Sequence, residues 1–470
     1  MHMRWLRGRS PGVMLAAVVG ALLLLPTVAL ASTGEPLWAA YYSGPGHSTD
    51  NASALAVSPD GTRVYVTGTS IGTSGNYDYA TVAYDAQTGV RLWSKRYKGP
   101  ANGDDGANAI AVSPDGARVY VTGYSEGAVT GEDYATIAYD ATTGARLWIT
   151  RYSGPDEGYD AANAIAVSPN GTLVFVTGTS DGLTPGLPDY ATVAYDADSG
   201  ARVWARRYNG AGNEDDDATA LGVSPDGSRV YVTGSSTGAT TSHDFATIAY
   251  DATNGDTIWT KRYSSSGFGN DGATTLGLSP DGTRVYVAGY SGPNVTEWAT
   301  IAYDAGTGTR LWVKRFNGPV GRPGEAYALG VSPDGTRVFV TGYTITATQP
   351  VYATVAYDAA TGARLWGRLY AADPGDSSVA TALGVSPDGT RVYVTGASEH
   401  SDGSSDYATL AYDAATGVLA WARRYNGRGG NYQVASGIGV APSGDRVYVT
   451  GSSNLDARSS AYQTIAYDTA

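Results

Sequence analysis

The sequence predicts an all-β fold, an eight-bladed β-propeller of four-stranded antiparallel blades, and three observations carry that expectation. Ser-Pro-Asp-Gly or a close variant begins at Ser58, Ser113, Ser168, Ser224, Ser279, Ser332, Ser386 and Ala441. Eight of the ten tryptophans keep step with it, Trp38, Trp93, Trp148, Trp204, Trp259, Trp312, Trp366 and Trp421, leaving Trp5 and Trp298 outside the pattern. The two ends of the array are complementary. Leu37–Tyr42 reads as a lone fourth strand ahead of the first copy, and the last copy stops at Tyr467-Asp468-Thr469-Ala470 without one. An open stack would leave both as unpaired edges, whereas a ring closed by the N-terminal strand in the last blade hides them together.

The first 31 residues read as an export signal: Arg4, Arg7 and Arg9 form a basic start, Val13–Leu25 an apolar run, and Ala29-Leu30-Ala31 a small-residue cleavage site. A secreted or cell-envelope protein is expected, with no membrane span once the signal is cut at Ser32. Residues 32–470 then form one propeller domain, since a chain of this length exceeds the roughly 250–300 residues that one core serves and a repeat array resolves the excess. Loss of the three arginines takes the formal charge from −13 to −16. So acidic a protein repels phosphate backbones, which argues against nucleic acid and for a cation or a basic surface as partner. There is no cysteine, and Met1, Met3 and Met14 all lie in the leader, so disulfides and thiolate chemistry are excluded.

Each copy resolves into the same elements. In the first, Ala54–Ser58 is a strand, Pro59-Asp60-Gly61 a turn, and Arg63–Gly68 a second strand with Val64 and Val66 alternating against Tyr65 and Thr67. Tyr79–Asp85 is the third strand, Ala86-Gln87-Thr88-Gly89 a turn, and Val90–Tyr97 the fourth, carrying Trp93. All variation in length falls between the second and third strands, from nine residues (Gly289 to Trp298) to twelve (Gly178 to Tyr190). That loop is the expected seat of specificity, and Ile345–Val351 and Pro185–Pro188 are its most individual segments.

Two series of acids stand out. Asp78, Asp133, Asp189, Asp244, Glu297 and Asp406 each lie eighteen residues before an arginine: Arg96, Arg151, Arg207, Arg262, Arg315 and Arg424. Where the acid becomes Val351 the arginine becomes Leu369, and where it becomes Ala461 the exchanged strand offers Tyr41. Such coupled loss points to cross-strand ion pairs. A second series, Asp50, Asp105, Asp160, Asp216 and Asp271, leads into the first strands and gives way to Gly324, Ser378 and Gln433 in the last three copies, with no basic residue tracking it. Two readings of these five are open. Each caps local backbone in a connection of fixed length, or together they line one arc of the channel mouth and hold a cation such as calcium through oxygen donors.

Other candidate chemistry is weaker. Gly123-Tyr124-Ser125-Glu126-Gly127 and Gly178-Thr179-Ser180-Asp181-Gly182 match the hydrolase elbow, yet both end a strand that no helix follows. His47, His243 and His400 stand singly in three copies, so neither a histidine metal site nor a Ser-His-Asp triad is expected.

The stretch Ala83-Tyr84-Asp85-Ala86-Gln87-Thr88-Gly89-Val90-Arg91-Leu92-Trp93 resembles the tryptophan-docking motif of quinoprotein-type propellers. The resemblance implies that Trp93 and its seven counterparts pack on the neighbouring blade. Gly103–Val112, with Val119–Gly123, is similar to the secreted bacterial repeat called SBBP. Together the likenesses span residues 37–470. Quinoprotein dehydrogenases carry a quinone, a calcium ion and, in several, a disulfide of adjacent cysteines. This chain has no cysteine, and Trp298 merely replaces a third-strand tyrosine, so a quinone is not expected. A monomeric, non-catalytic binding or scaffold propeller is the leading expectation, its partner an extracellular protein, a glycan or a small cation. A quinoprotein-like dehydrogenase or a polysaccharide-active enzyme is the alternative.

Overall fold

The computed structural model describes residues 34–469 apart from 156, 183–185, 266–268, 293–296, 319–320, 347–348, 374, 428, 430–431 and 457–458. The expected export signal lies outside the described residues. After β1 (Pro36–Tyr42), the first blade comprises β2 (Asp50–Val57), β3 (Arg63–Ile71), β4 (Tyr77–Asp85) and β5 (Arg91–Tyr97). Eight such antiparallel sheets are formed, seven with their strands hydrogen-bonded in sequence order and the eighth taking β1 as its outermost strand. First strands of adjacent blades contact one another, which makes them the innermost.

Three strands are longer than their sequence pattern, and the first shows why. β2 starts at Asp50 and its register with β3 shifts between Ala52 and Ala54. The bulge interrupts the alternation, so residues ahead of it escape a period-two reading. Beyond it Asp50 pairs with Ser70.

The Ser-Pro-Asp-Gly turn is held by its own side chains. The Ser58 hydroxyl donates to Asp60 at 2.5 Å and accepts the Arg63 N–H at 2.9 Å, while Gly61 takes φ +69°. Hydrogen bonds from serine, then from backbone and hydroxyl two residues on, push the equivalent Asp226 and Asp281 carboxyls down to about 2.

The tryptophans join the blades. Trp93 lies between Tyr65 of its own blade and Tyr139 of the next, at ring separations of 5.8 and 6.1 Å, and its Nε1 donates to Ala141 O of that next blade at 3.1 Å. Beneath the indole sits Gly144, at φ +68°, where a Cβ would come within 2.7 Å of the ring. Trp38, Trp148, Trp204, Trp259, Trp312 and Trp366 make the same donation to the following blade.

Closure occurs inside one of these docking turns. β1 is the outermost strand of blade 8, pairing Trp38 with Ala466 and Tyr42 with Tyr462 on the third strand, Ser460–Asp468. Gly34 N–H donates to Asp468 O at 3.0 Å, as Gly89 N–H does to Asp85 O within blade 1. The Gly34 Cα faces the Trp421 ring, so the residue ahead of β1 supplies the eighth docking glycine. Among the described residues no helix is long and apolar enough to cross a membrane.

Candidate binding surface at the channel mouth

In the first four blades the two acid series belong to one polar row that runs across the sheet. Asp105, on the first strand of blade 2, pairs with Ser125 on the second, and Ser125 pairs with Asp133 on the third. Arg151, on the fourth strand, faces Ala135 directly and reaches Asp133 diagonally. Its Nε and Nη2 donate to Asp133 Oδ2 at 3.0 and 2.7 Å, its Nη1 to the Ser125 hydroxyl at 2.6 Å and to Tyr97 Oη of blade 1 at 3.3 Å. The same row stands in blade 1 (Asp50, Ser70, Asp78, Arg96), blade 3 (Asp160, Ser180, Asp189, Arg207) and blade 4 (Asp216, Ser236, Asp244, Arg262), with acid to arginine distances of 2.7, 2.8 and 2.9 Å. Blade 5 keeps a looser version, Glu297 to Arg315 at 3.7 Å.

The first-strand acids each receive a backbone N–H six residues upstream: Gly44 to Asp50, Gly99 to Asp105, Gly154 to Asp160, Gly210 to Asp216 and Ser265 to Asp271, at 2.5 to 2.8 Å. All five side chains are fully buried, one to a blade. Burial raises the pKa of Asp105, Asp160 and Asp216, Asp160 to about 6, against the lowering pull of these N–H groups and the row serine. No three of the five come together as metal ligands. The single such group among the described residues is Asp373, Asp376 and His400, in blade 7.

The last three blades depart from this row, blade 7 in sequence only at Ser378 on its first strand. Blade 6 carries Gly324, Thr344, Val351 and Leu369, with no charge, and a Cβ at Gly324 would lie 2.5 Å from Tyr343 O and 2.9 Å from the Trp298 Nε1 of blade 5. Blade 8 carries Gln433, Ser453 and Ala461, with Tyr41 supplied by β1. The serine was the member missed from sequence. Its signal is the Gly-x-Ser that recurs at the end of the second strands, as in Gly68-Thr69-Ser70 and Gly123-Tyr124-Ser125.

One position further along, the rows give way to a layer that lines the channel mouth. On the first strands it holds Asn51, Gly106, Ala161, Asp217, Gly272, Glu325, Val379 and Val434, opposite Thr69, Tyr124, Thr179, Ser235, Tyr290, Tyr343, Ala397 and Ser452. Glycine recurs where tyrosine faces it. A Cβ at Gly106 would lie 2.6 Å from the Tyr124 ring, and one at Gly272 would lie 2.5 Å from Tyr290 Oη, so both rings fold across the first strand. Carboxylates sit among the rings. Thr179 Oγ1 donates to Asp217 at 2.8 Å, Tyr327 Oη donates to Glu325 at 2.9 Å, and the Tyr327 and Tyr343 rings are 6.0 Å apart. Burial first, then Glu325 and Asp217, raise the Tyr290 hydroxyl pKa, while burial with Glu132 and Asp104 pushes that of Tyr124 up to about 12. At the seam of blades 8 and 1, a cavity of about 480 Å³ opens on the same face, lined by Thr49, Asn51, Tyr432, Val434 and Ser452 among others.

Comparison with known proteins agrees with this architecture. The structure of Sqt1 from Chaetomium thermophilum, bound to the N-terminus of the ribosomal protein L10, is similar over 92% of this chain and 100% of its own, with 16% identity and a TM-score of 0.61. BamB from Moraxella catarrhalis covers 93% of this chain and 99% of its own at 15% identity and a TM-score of 0.52. A quinohemoprotein alcohol dehydrogenase from Comamonas testosteroni covers 92% of this chain and 76% of its own at 13% identity and a TM-score of 0.54. At these identities the likeness speaks for the fold. No curated protein matches the sequence. The family model for the outer membrane protein assembly factor BamB matches residues 27–188, 189–382 and 299–462. With nearly its whole propeller matched by that model, the chain belongs to the BamB family of β-propellers.

Proposed function

We propose that the protein is an exported, monomeric, non-catalytic binding propeller that takes a cationic segment of a partner protein at its channel mouth. The observation that carries this reading is the layer in which Tyr124, Tyr290 and Tyr343 stand with Asp217 and Glu325, Tyr327 beside them, with no ion pair from either acid to lysine or arginine among the described residues. Aromatic faces beside carboxylates suit a guanidinium or ammonium group, and the net charge of the chain draws such a group in. The reading also accounts for the serines. Ser125 and Ser180 accept arginine N–H groups inside rows repeated from blade to blade, an arrangement that braces sheets and offers no nucleophile. Export rests on the basic and apolar pattern of residues 1–31. The reading is supported by the fold-level likeness to Sqt1, whose structure was obtained bound to the N-terminus of the ribosomal protein L10.

The test is calorimetric titration with arginine-rich and glutamate-rich peptides of equal length. The arginine-rich peptide should bind, more weakly as salt rises, and Asp217→Asn with Glu325→Gln should weaken it about tenfold or more. Equal binding of both peptides, or no effect of the double substitution, would overturn the assignment.

A further inference from the structure

We propose that Asp373, Asp376 and His400 form a binding site for one divalent first-row transition ion of the zinc class. One ligand atom from each lies within 4.8 Å of the others. Asp373 and Asp376 belong to the connection that leads into blade 7, where Asp376 N–H donates to Asp373 O at 3.2 Å and folds both carboxylates back towards the blade. His400 follows the second strand of that blade, Arg391–Glu399.

The position of His400 is the clue. Gly72, Gly127, Gly182, Gly238 and Gly292 follow the second strands of blades 1 to 5. A Cβ at Gly72 would lie 2.8 Å from Asp78 Oδ2, so any side chain there is driven against the row's acid and arginine. In blade 7 the imidazole takes that place, with Nε2 3.3 Å from Asp406 Oδ2 and Nδ1 3.5 Å from Asp376 Oδ2. The row is rebuilt around it. Arg424 keeps Asp406 through Nε at 3.1 Å, but its Nη1 turns to Asp373 at 3.0 Å and its Nη2 to His400, while the Ser398 hydroxyl is left to Ser378 at 3.2 Å.

A second observation points to a ligand. Asp376 is 5% exposed, and its Oδ2, the atom that faces His400, has no hydrogen bond. A buried carboxylate oxygen without a donor is costly, and three carboxylates share one arginine here. The spacing suits a metal ion: ligands about 2.1 Å from a tetrahedral zinc stand about 3.4 Å from each other, close to the 3.5 Å between His400 Nδ1 and Asp376 Oδ2. Imidazole with two carboxylates suits zinc and its neighbours, whereas calcium and magnesium favour oxygen alone. The η nitrogens of Arg424 stand where the ion would enter and compete with it.

Metal-free full chain titrated with Zn²⁺ should bind one equivalent at this site, with a rise in melting temperature. His400→Gly restores the residue of five sister blades, and it should lose that binding by at least thirtyfold, as should Asp376→Asn. Arg424→Leu copies Leu369 of blade 6, and it should bind Zn²⁺ more tightly than the parent. Zn²⁺ binding unchanged in a folded His400→Gly protein would overturn the proposal, as would Ca²⁺ matching Zn²⁺ in affinity.

Discussion

Replacing Arg151 by leucine should destabilise the protein far more than replacing the charged members of its row together. Arg151 is 23% exposed and Asp133 only 7%, with Asp105 fully buried behind Ser125. The guanidinium donates twice to Asp133, once each to the Ser125 hydroxyl and its carbonyl, and once to Tyr97 of the preceding blade. Removing it leaves the buried Asp133 carboxylate without its cation, and breaking a buried pair from one side costs about 3–5 kcal/mol. The partial exposure of Arg151 places the expected loss near 3. The triple change Asp105→Asn, Asp133→Val, Arg151→Leu removes every charge, and the asparagine oxygen still accepts Gly99 N–H. Blade 6 shows that a charge-free row folds, and the triple variant should lie within about 1–2 kcal/mol of the parent. Urea melts at matched slopes measure both. A loss below about 1 kcal/mol for Arg151→Leu, or a triple variant no better than the single, would refute the row as a coupled unit.

Two further outcomes follow from the same geometry. Asp160, raised to about 6, holds its proton more tightly folded than unfolded. It therefore favours the fold fully below pH about 4 and loses that contribution as pH climbs through about 6, an effect of up to about 3 kcal/mol. Asp160→Asn should thus be most costly, relative to the parent, at pH 4 and least so at pH 7, and a difference constant across pH would count against the burial argument. Gly144→Ala should lower the melting temperature more than Gly116→Ala. Both positions have positive φ, but the added methyl group meets the Trp93 ring only at Gly144, while at Gly116 the nearest atom is Pro59 Cδ at 3.5 Å. Equal losses would mean that backbone strain alone governs both.

The blade count and the hairpins were legible because each is written eight times, in turn residues and tryptophans whose spacing barely varies, and the strand exchange because the two ends of the array complement one another. The acid and arginine series were legible through their joint loss at Val351 and Leu369. What escaped was the geometry between them. The bulge at Ala52 hid the alignment of Asp50 with Ser70, so the first-strand acids looked independent of the arginines when one serine links the two. The mouth layer was harder still, because its members vary around the ring, with only the glycine and tyrosine pair of blades 2 and 5 recurring. Gly106 and Tyr124 are far apart in sequence, and only pairing across the sheet shows that the glycine makes room for the ring. His400 looked solitary because its carboxylate partner Asp376 precedes the blade's first strand.

The seam between Gly34 and Asp468 bears on how the molecule comes apart. A linear array of repeats frays from its terminal units, each held by one neighbour. Here blade 1 packs on blade 8, so every blade has two neighbours and local opening must release both at once. The exception is β1, a seven-residue strand tied to its sheet by pairing along one side. Loop-closure cost grows only with the logarithm of length, so joining the ends of this chain costs about 2–3 kcal/mol more than closing a loop of about 25 residues. The molecule is a hoop with one clasp, and opening is expected to begin where β1 lets go of Ser460–Asp468.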